Sequence, residues 1–116
     1  MTKIIYDPDE LDLLVEGHAQ SGKKGEDLVC AAISALTMTL EATLKVQDSI
    51  ISFVLKNQEK ARFHAYISPE SPLRAQAMVI FETIATGLLA LAEEYPEFVQ
   101  FDIKEEEEAK EKDDLL

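Results

Sequence analysis

The single cysteine of the chain, Cys30, follows one of its two histidines, His18, after a short stretch that holds two lysines and the glycines Gly22 and Gly25. A thiolate is a strong nucleophile, and a nearby imidazole can act as its general acid and base. These two residue types at this spacing therefore favour cysteine–histidine chemistry, in which the imidazole protonates a leaving amine. The chemistry requires that the loop between them bring the two side chains together.

The same residues also fit less active roles. A lone cysteine in an alanine-rich helix is often a small core residue, and a histidine at a strand end often lies on the surface. One cysteine and two scattered histidines do not make a zinc site, so we predict no metal and no other cofactor. The loop matches neither glycine-rich phosphate motif, and Glu26 and Asp27 behind it would repel a phosphate.

A helix over 26–46 would position Cys30. Its apolar residues recur at spacings of three and four and predict one buried stripe, formed by Val29, Ile33, Leu36, Leu40 and Leu44. Asp27, Cys30 and Ser34 share another side of this helix with Thr37, and Cys30 lies about 80° from the centre of the stripe. Cys30 is thus expected at the edge of the buried face and near the helix start, where free N–H groups and the dipole favour a thiolate.

The other segments predict two hairpins, a second helix and a short last strand. The hairpins comprise residues 3–6 with 11–16 and residues 50–55 with 61–67. Ser68-Pro69 and Ser71-Pro72 are expected to open the second helix, which ends near Tyr95-Pro96, and residues 97–103 form the last strand. This order predicts an α+β fold, a two-layer sandwich with the helices packed on one face of a mixed or antiparallel sheet.

Length and composition predict one domain. The chain has 116 residues, of which 47% are hydrophobic, so it can bury a core of its own. We predict that residues 1–103 form this domain and that residues 104–116 form an acidic, disordered tail. No uninterrupted apolar run reaches about 18 residues and no signal-peptide pattern is present, so we expect neither a membrane span nor export. A single cysteine cannot form an internal disulfide, and we therefore expect a cytoplasmic protein.

The charge points away from nucleic acid. The net charge is −12, of which the segment from Asp102 to Leu116 contributes −5 and the body −7. An acidic body repels phosphate backbones and suits a basic peptide, although the same charge would also serve solubility alone. The second hairpin is apolar on both faces, which predicts that a sheet or helix face is buried in a dimer.

The stretch around the cysteine contains a specific sequence motif. Gly-His-Ala at 17–19, a short loop, and then "GEDLVCAAISALT" from residue 25 resemble the ribosomal-processing cysteine protease family called Prp. The spacing from His18 to Cys30 agrees with that family, and so does the Leu-rich helix ending in "EEYPEF". The resemblance covers residues 1 to about 103, which we interpret as one Prp-like domain, and excludes the acidic tail.

The resemblance implies a cysteine endopeptidase that removes the N-terminal extension of a large-subunit ribosomal protein, number twenty-seven, and so supports ribosome assembly. It implies Cys30 as nucleophile, His18 as general base and acid, supporting roles for Asp27, Ser34 and Gly17, and a homodimer. It also implies a loop that opens to admit the peptide, formed here by Ala19, Gln20, Ser21, Gly22, Lys23, Lys24 and Gly25. The rival interpretation is a non-catalytic adaptor that binds a basic ribosomal protein and keeps Cys30 in its core.

Overall fold

The structure, a computed structural model, describes residues 1–17 and 26–104. In chain order the described elements are β1 (Thr2–Asp7), β2 (Asp12–Glu16), α1 (Glu26–Val46), β3 (Ser52–Asn57), β4 (Arg62–Ile67), α2 (Arg74–Glu94) and β5 (Val99–Ile103). The predicted order of hairpin, helix, hairpin, helix and last strand is confirmed. The predicted tail lies outside the described residues from position 105 onward.

The strands form one mixed sheet in the order β3-β4-β2-β1-β5. The two hairpins meet where β2 pairs antiparallel with β4, and the last strand, β5, runs parallel to β1. The first hairpin is therefore central, while β3 and β5 form the two edges. The predicted fold class, α+β with a mixed sheet, is confirmed.

The sheet has one covered and one open face because side chains alternate along each strand. Ile4 and Tyr6 in β1, Leu13 and Val15 in β2, and Ala65 in β4 point to the covered face and are almost completely buried. The apolar stripe of α1 and the apolar face of α2 complete this core. The two helices also touch each other, since a Cβ at Gly87 of α2 would lie only 3.2 Å from the Leu36 methyl groups of α1.

The start of α2 differs from its prediction. The helix begins at Arg74, its cap residue is Leu73, and no side chain caps it. Ser68 and Ser71 form a turn instead, in which the Ser71 amide donates to the Ser68 carbonyl at 3.0 Å and the Glu70 amide donates to the Ser68 hydroxyl at 3.2 Å. The serine-proline pairs therefore shape the connection before the helix rather than its first turn.

The third strand also starts later than predicted. β3 covers Ser52–Asn57, whereas the apolar run at 50–55 suggested an earlier start. Ile50 is only 1% exposed and its amide donates to the Gln47 carbonyl at 2.9 Å. Ile50 is thus a core anchor in the connection that follows α1, and its hydrophobicity belongs to the core rather than to the strand.

By length and apolar composition alone, Asp27–Val46 and Arg74–Glu94 would pass as membrane spans. The criterion is weak, because the core helix of a soluble protein or a signal sequence satisfies it too. In this fold one face of each helix packs against the sheet, which accounts for its apolar residues.

Candidate active site

Gly17 occupies a tight corner at the end of β2. Its φ is +93°, a conformation that favours glycine, and a Cβ at this position would lie 2.6 Å from the Met1 carbonyl oxygen. Its amide donates to the Ala61 carbonyl at 3.0 Å, and its carbonyl accepts a long contact from the Thr2 hydroxyl at 3.4 Å. These contacts hold the chain between β1 and the second hairpin at the point where it leaves the sheet.

Cys30 lies in the second turn of α1. It is partly buried, in agreement with its predicted position at the edge of the core stripe, and it forms no disulfide. Its neighbour on the stripe, Val29, is 3% exposed. Side chains in a helix tilt toward its N-terminus, so the thiol lies over the first turn, where the amides lack helical partners.

A groove runs along α1 from the thiol. It has a volume of about 600 Å³ and is bounded by α1 on one side and by the β3–β4 hairpin on the other. The α1 residues that line it lie on one face of the helix: Cys30, Ile33, Ser34, Thr37, Met38 and Glu41. Gly17 lies in the same lining, so the end of β2 and the cysteine meet at one groove although they are far apart in sequence.

The predicted site residues fall into three groups. Gly17, Cys30 and Ser34 line the groove together. Asp27 is exposed on the first turn of α1, one turn before Cys30, and is not among the described residues that line the groove. His18 and the predicted gating loop at 19–25 lie outside the described residues, so the predicted dyad stays a prediction.

The far wall of the groove was missed by the sequence analysis. Lys56, Asn57, Gln58, Ala61, Arg62 and Phe63 line it from the second hairpin. At its far end Lys56 Nζ lies 3.0 and 2.9 Å from the two carboxylate oxygens of Glu41. The helical spacing from Cys30 would have found Glu41, but no local pattern relates α1 to a hairpin that pairs with β2.

The second histidine belongs to the opposite side of the sheet. His64 Nε2 lies 2.8 Å from Asp12 Oδ1, and its ring centre lies 5.0 Å from that of Tyr66. His64 and Asp12 both lie on the open face of the sheet, away from the groove beside α1. Within residues 1–17 and 26–104 no group of side chains has the arrangement of a metal site.

Known proteins share this fold and this sequence. The family model described as cysteine protease Prp matches residues 2–100. The ribosomal processing cysteine protease Prp of Staphylococcus aureus strain Mu50 is 27% identical over 94 residues, which cover 80% of this chain and 86% of the relative.

Two solved structures are similar in three dimensions. One is an essential ribosomal processing protease Prp from S. aureus in complex with a covalently linked product peptide, with a TM-score of 0.74, 25% identity, and 90% of this chain and all of the other covered. The second is a Streptococcus mutans protein with a TM-score of 0.70, 28% identity, and coverage of 88% of this chain and 90% of the other. The family model matches residues 2–100, which are nearly all of the described fold, and this match makes the chain a member of the Prp family of cysteine proteases.

Proposed function

We propose that this cysteine protease acts in the cytoplasm and removes the N-terminal extension of large-subunit ribosomal protein number twenty-seven. The S. aureus relatives are named ribosomal processing proteases, and one of them was crystallised with a covalently linked product peptide. The observation that carries the proposal is the groove of about 600 Å³ that begins at Cys30. A strongly acidic protein also suits a basic ribosomal segment as its substrate.

In the first step, the Cys30 thiolate attacks the scissile carbonyl carbon and forms a tetrahedral intermediate. The imidazolium of His18 gives its proton to the amine as the carbon–nitrogen bond breaks, which leaves a thioester on Cys30 and a neutral imidazole. In the second step, His18 removes a proton from water, the hydroxide attacks the thioester, and the acid product departs. Cys30 is then again a thiolate and His18 an imidazolium.

The corner at Gly17 supports the pairing of these two residues. Gly17 lines the same groove as Cys30, and His18 is the next residue along the chain. We assign to Asp27 the orientation of the imidazole and to Ser34, one turn after Cys30, a hydrogen bond near the sulfur. The loop at 19–25 is assigned the role of admitting the peptide.

The test uses the full-length ribosomal protein with its extension as substrate. We expect cleavage by the wild-type protein, loss of cleavage in Cys30→Ala and in His18→Ala, and retained cleavage in His64→Ala, whose histidine lies on the other side of the sheet. The product is identified by mass spectrometry of both fragments. Binding without cleavage, unchanged in Cys30→Ala, would instead support the adaptor.

We further propose that two copies pack through the open face of the sheet. Ile5, Phe53 and Leu55 are 37, 46 and 57% exposed there, and the rings of Phe53 and Tyr66 stack with centres 5.2 Å apart. Exposed apolar side chains that share one face of a sheet are typical of an interface. A second copy of the same chain would cover them with equally apolar side chains.

The charges on this face suit a twofold axis that runs across the strands. Such an axis sets the Asp7 end of each β1 over the Lys3 end of the other copy's β1, and Tyr66 over Arg62 of the second copy. Both pairs are attractive, since the first joins opposite charges and the second sets a cation over a ring. Asp12 would meet Glu16 of the second copy, and the contact of Asp12 with His64 offsets part of that repulsion.

Sedimentation tests the dimer. We expect Leu55→Glu to shift the wild-type dimer toward monomer at micromolar concentration, because it buries a charge among the apolar side chains of the face. Val79→Glu is the matched control, since Val79 is 66% exposed on α2 and outside the face. A monomeric wild-type protein, or a Leu55→Glu variant as dimeric as the control, would contradict the interface.

A further inference from the structure

The face of α1 that carries the cysteine also carries an acid. Cys30, Ser34, Thr37 and Glu41 all line the groove. At about 100° and 1.5 Å per residue, Glu41 lies within about 20° of the direction of Cys30 and about 16 Å further along the helix. A peptide that follows this wall from the thiol therefore passes Glu41.

The Glu41 carboxylate is already engaged by a cation. Lys56 Nζ contacts both of its oxygens, at 3.0 and 2.9 Å, and this contact joins the two walls of the groove. The Glu41 side chain is only 18% exposed, whereas that of Lys56, on the edge strand, is 55% exposed. The acid is thus held in place by α1, while the ammonium group can swing out into solvent. Ion pairs of this exposure are weak and exchange readily with another cation.

We propose that Glu41 is a subsite for a basic side chain of the substrate and that Lys56 occupies it in the free protein. The inference rests on the proposed function, because it requires that the peptide lie in the groove with its scissile bond at Cys30. On binding, the substrate's ammonium or guanidinium group takes the position of Lys56 Nζ between the two carboxylate oxygens. Once Lys56 Nζ has left, the two carboxylate oxygens can accept from an arginine fork or from a lysine ammonium group.

The distance sets the position of the basic residue. An extended chain advances about 3.3 Å per residue, so about 16 Å corresponds to about five residues. A lysine or arginine side chain reaches some way along the groove by itself, which widens the window to about three to six residues from the scissile bond. The groove extends from Cys30 in one direction along α1, so this window lies on one side of the bond only.

The other charged residues of the groove show how the opposite preference, for an acidic side chain, would arise. Among the described lining residues, Glu41 is the one acid, and Lys56 and Arg62 are the bases. If the subsite instead took an acidic side chain, Lys56 would be its anchor and Glu41 its competitor. A series of peptides distinguishes the two cases.

The experiment measures kcat/KM for peptides that share one scissile sequence and differ at a single position. Lysine, norleucine or glutamate is placed at each position within seven residues on both sides of the bond. We expect lysine to be favoured over norleucine by about tenfold at a position within the window, and less so as salt is added. Glu41→Gln removes this preference and retains cleavage of the norleucine peptide, while Lys56→Met increases the preference. The control Glu70→Gln, an exposed acid in the turn before α2, leaves the preference unchanged.

The results separate the two proposals. If the wild-type protein cleaves none of the peptides or the full substrate, the proposed function fails. If it cleaves them in a Cys30-dependent manner but shows equal rates for lysine and norleucine, a preference for glutamate, or a lysine preference that survives in Glu41→Gln, the Glu41 subsite is overturned. A lysine preference that falls in Lys56→Met also overturns it.

Discussion

The two hairpins of this protein are built alike and serve different purposes. In each, an Asx side chain opens a turn of the same length: Asp7 accepts from the Asp9 and Glu10 amides, and Asn57 accepts from the Lys60 amide. Each turn ends on a non-glycine residue with positive φ, 54° at Leu11 and 48° at Ala61. The strands then pair in equivalent register, Asp7 with Asp12 and Asn57 with Arg62.

Position in the sheet separates them. The first hairpin is central, and its turn residue Leu11 is fully buried in the core. The second hairpin carries an edge strand, and its turn residue Ala61 lines the groove beside α1. The same local device therefore serves the core in one case and a wall of the site in the other, and the placement of the hairpin decides which.

The exits of the hairpins differ as well. The chain leaves the first through Gly17, which no other residue type would replace without strain, and continues to the helix that bears the cysteine. It leaves the second through Ser68, whose hydroxyl accepts from the Glu70 amide in an ordinary turn, and continues to a helix without candidate catalytic residues. The structure therefore constrains the residue type at Gly17 more strongly than at Ser68.

The largest expected effect separates the two turn residues. Leu11→Ala removes a fully buried side chain and should lower the free energy of unfolding by about 2–5 kcal/mol. Denaturant unfolding followed by circular dichroism measures it. A loss below about 1 kcal/mol would mean that the core collapses around the site and that the central turn tolerates change as the outer one does.

The second prediction compares the two exits. Gly17→Ala should lower stability by about 1–3 kcal/mol, because its backbone has φ of +93° and the new Cβ meets the Met1 carbonyl. It should also lower kcat/KM at temperatures where the variant remains folded, since it displaces the chain that leads to His18. The matched change, Ser68→Ala, should cost about 0.5–1.5 kcal/mol and leave activity intact. Equal losses in the two variants would remove the distinction between the exits.

The third prediction is a gain in stability. Ala61→Gly relieves a left-handed conformation without removing core volume, and should raise the free energy of unfolding by up to about 1 kcal/mol. Thermal unfolding at neutral pH checks the direction. A decrease would indicate that the Ala61 methyl group contributes more to the groove wall than the backbone strain costs.

The smallest expected effect is on stability at alkaline pH. It compares side chains at equivalent positions in the first strand of each hairpin. Tyr6 and Lys56 both point to the helix side, but Tyr6 is buried, and burial together with the nearby Glu82 carboxylate raises the pKa of its hydroxyl well above its ordinary value of 10.0. An unfolded tyrosine ionises near that ordinary value, whereas the buried Tyr6 stays neutral to higher pH. The contribution of the neutral Tyr6 hydroxyl to stability is therefore complete below about pH 10 and is lost as the pH rises further.

Tyr6→Phe should therefore reduce the alkaline loss of stability and change little at neutral pH. Unfolding at a series of pH values, compared with Tyr95→Phe as a more exposed control, measures the difference. A Tyr6→Phe variant that loses stability above pH 10 as steeply as the wild type would contradict the assignment.

Much of the fold follows from local sequence signals. The α1 periodicity gave the helix bounds, because Glu26 and Val46 are flanked by residues that cannot extend the apolar stripe. The predicted start of β3 was wrong because of Ile50. A single apolar residue in a connection cannot be told from the first residue of a strand by its type alone. Ser68 and Ser71 misled the helix start because serine stabilises turns and caps through the same hydrogen bonds.

The site is predictable only on its helical side. Helical spacing relates Cys30 to Ser34 and Glu41 without any tertiary information. Lys56 and Ala61 reach the groove because β4 pairs with β2, a long-range pairing that no residue of the second hairpin specifies by itself. Asp27 shows the converse limit, since a shared helix side did not bring it into the lining of the groove.

The parallel pairing of β1 with β5 has a consequence for how the protein is made. Thr2 pairs with Val99, and the Thr2 amide donates to the Phe98 carbonyl at 2.9 Å, so the first strand gains its outer neighbour from a segment that lies far along the sequence. Contacts of such high sequence separation form late and slowly. Because Gly17 lies against Met1 and Thr2, the part of the sheet next to this corner of the groove is complete only after β5 has been synthesised and has paired with β1.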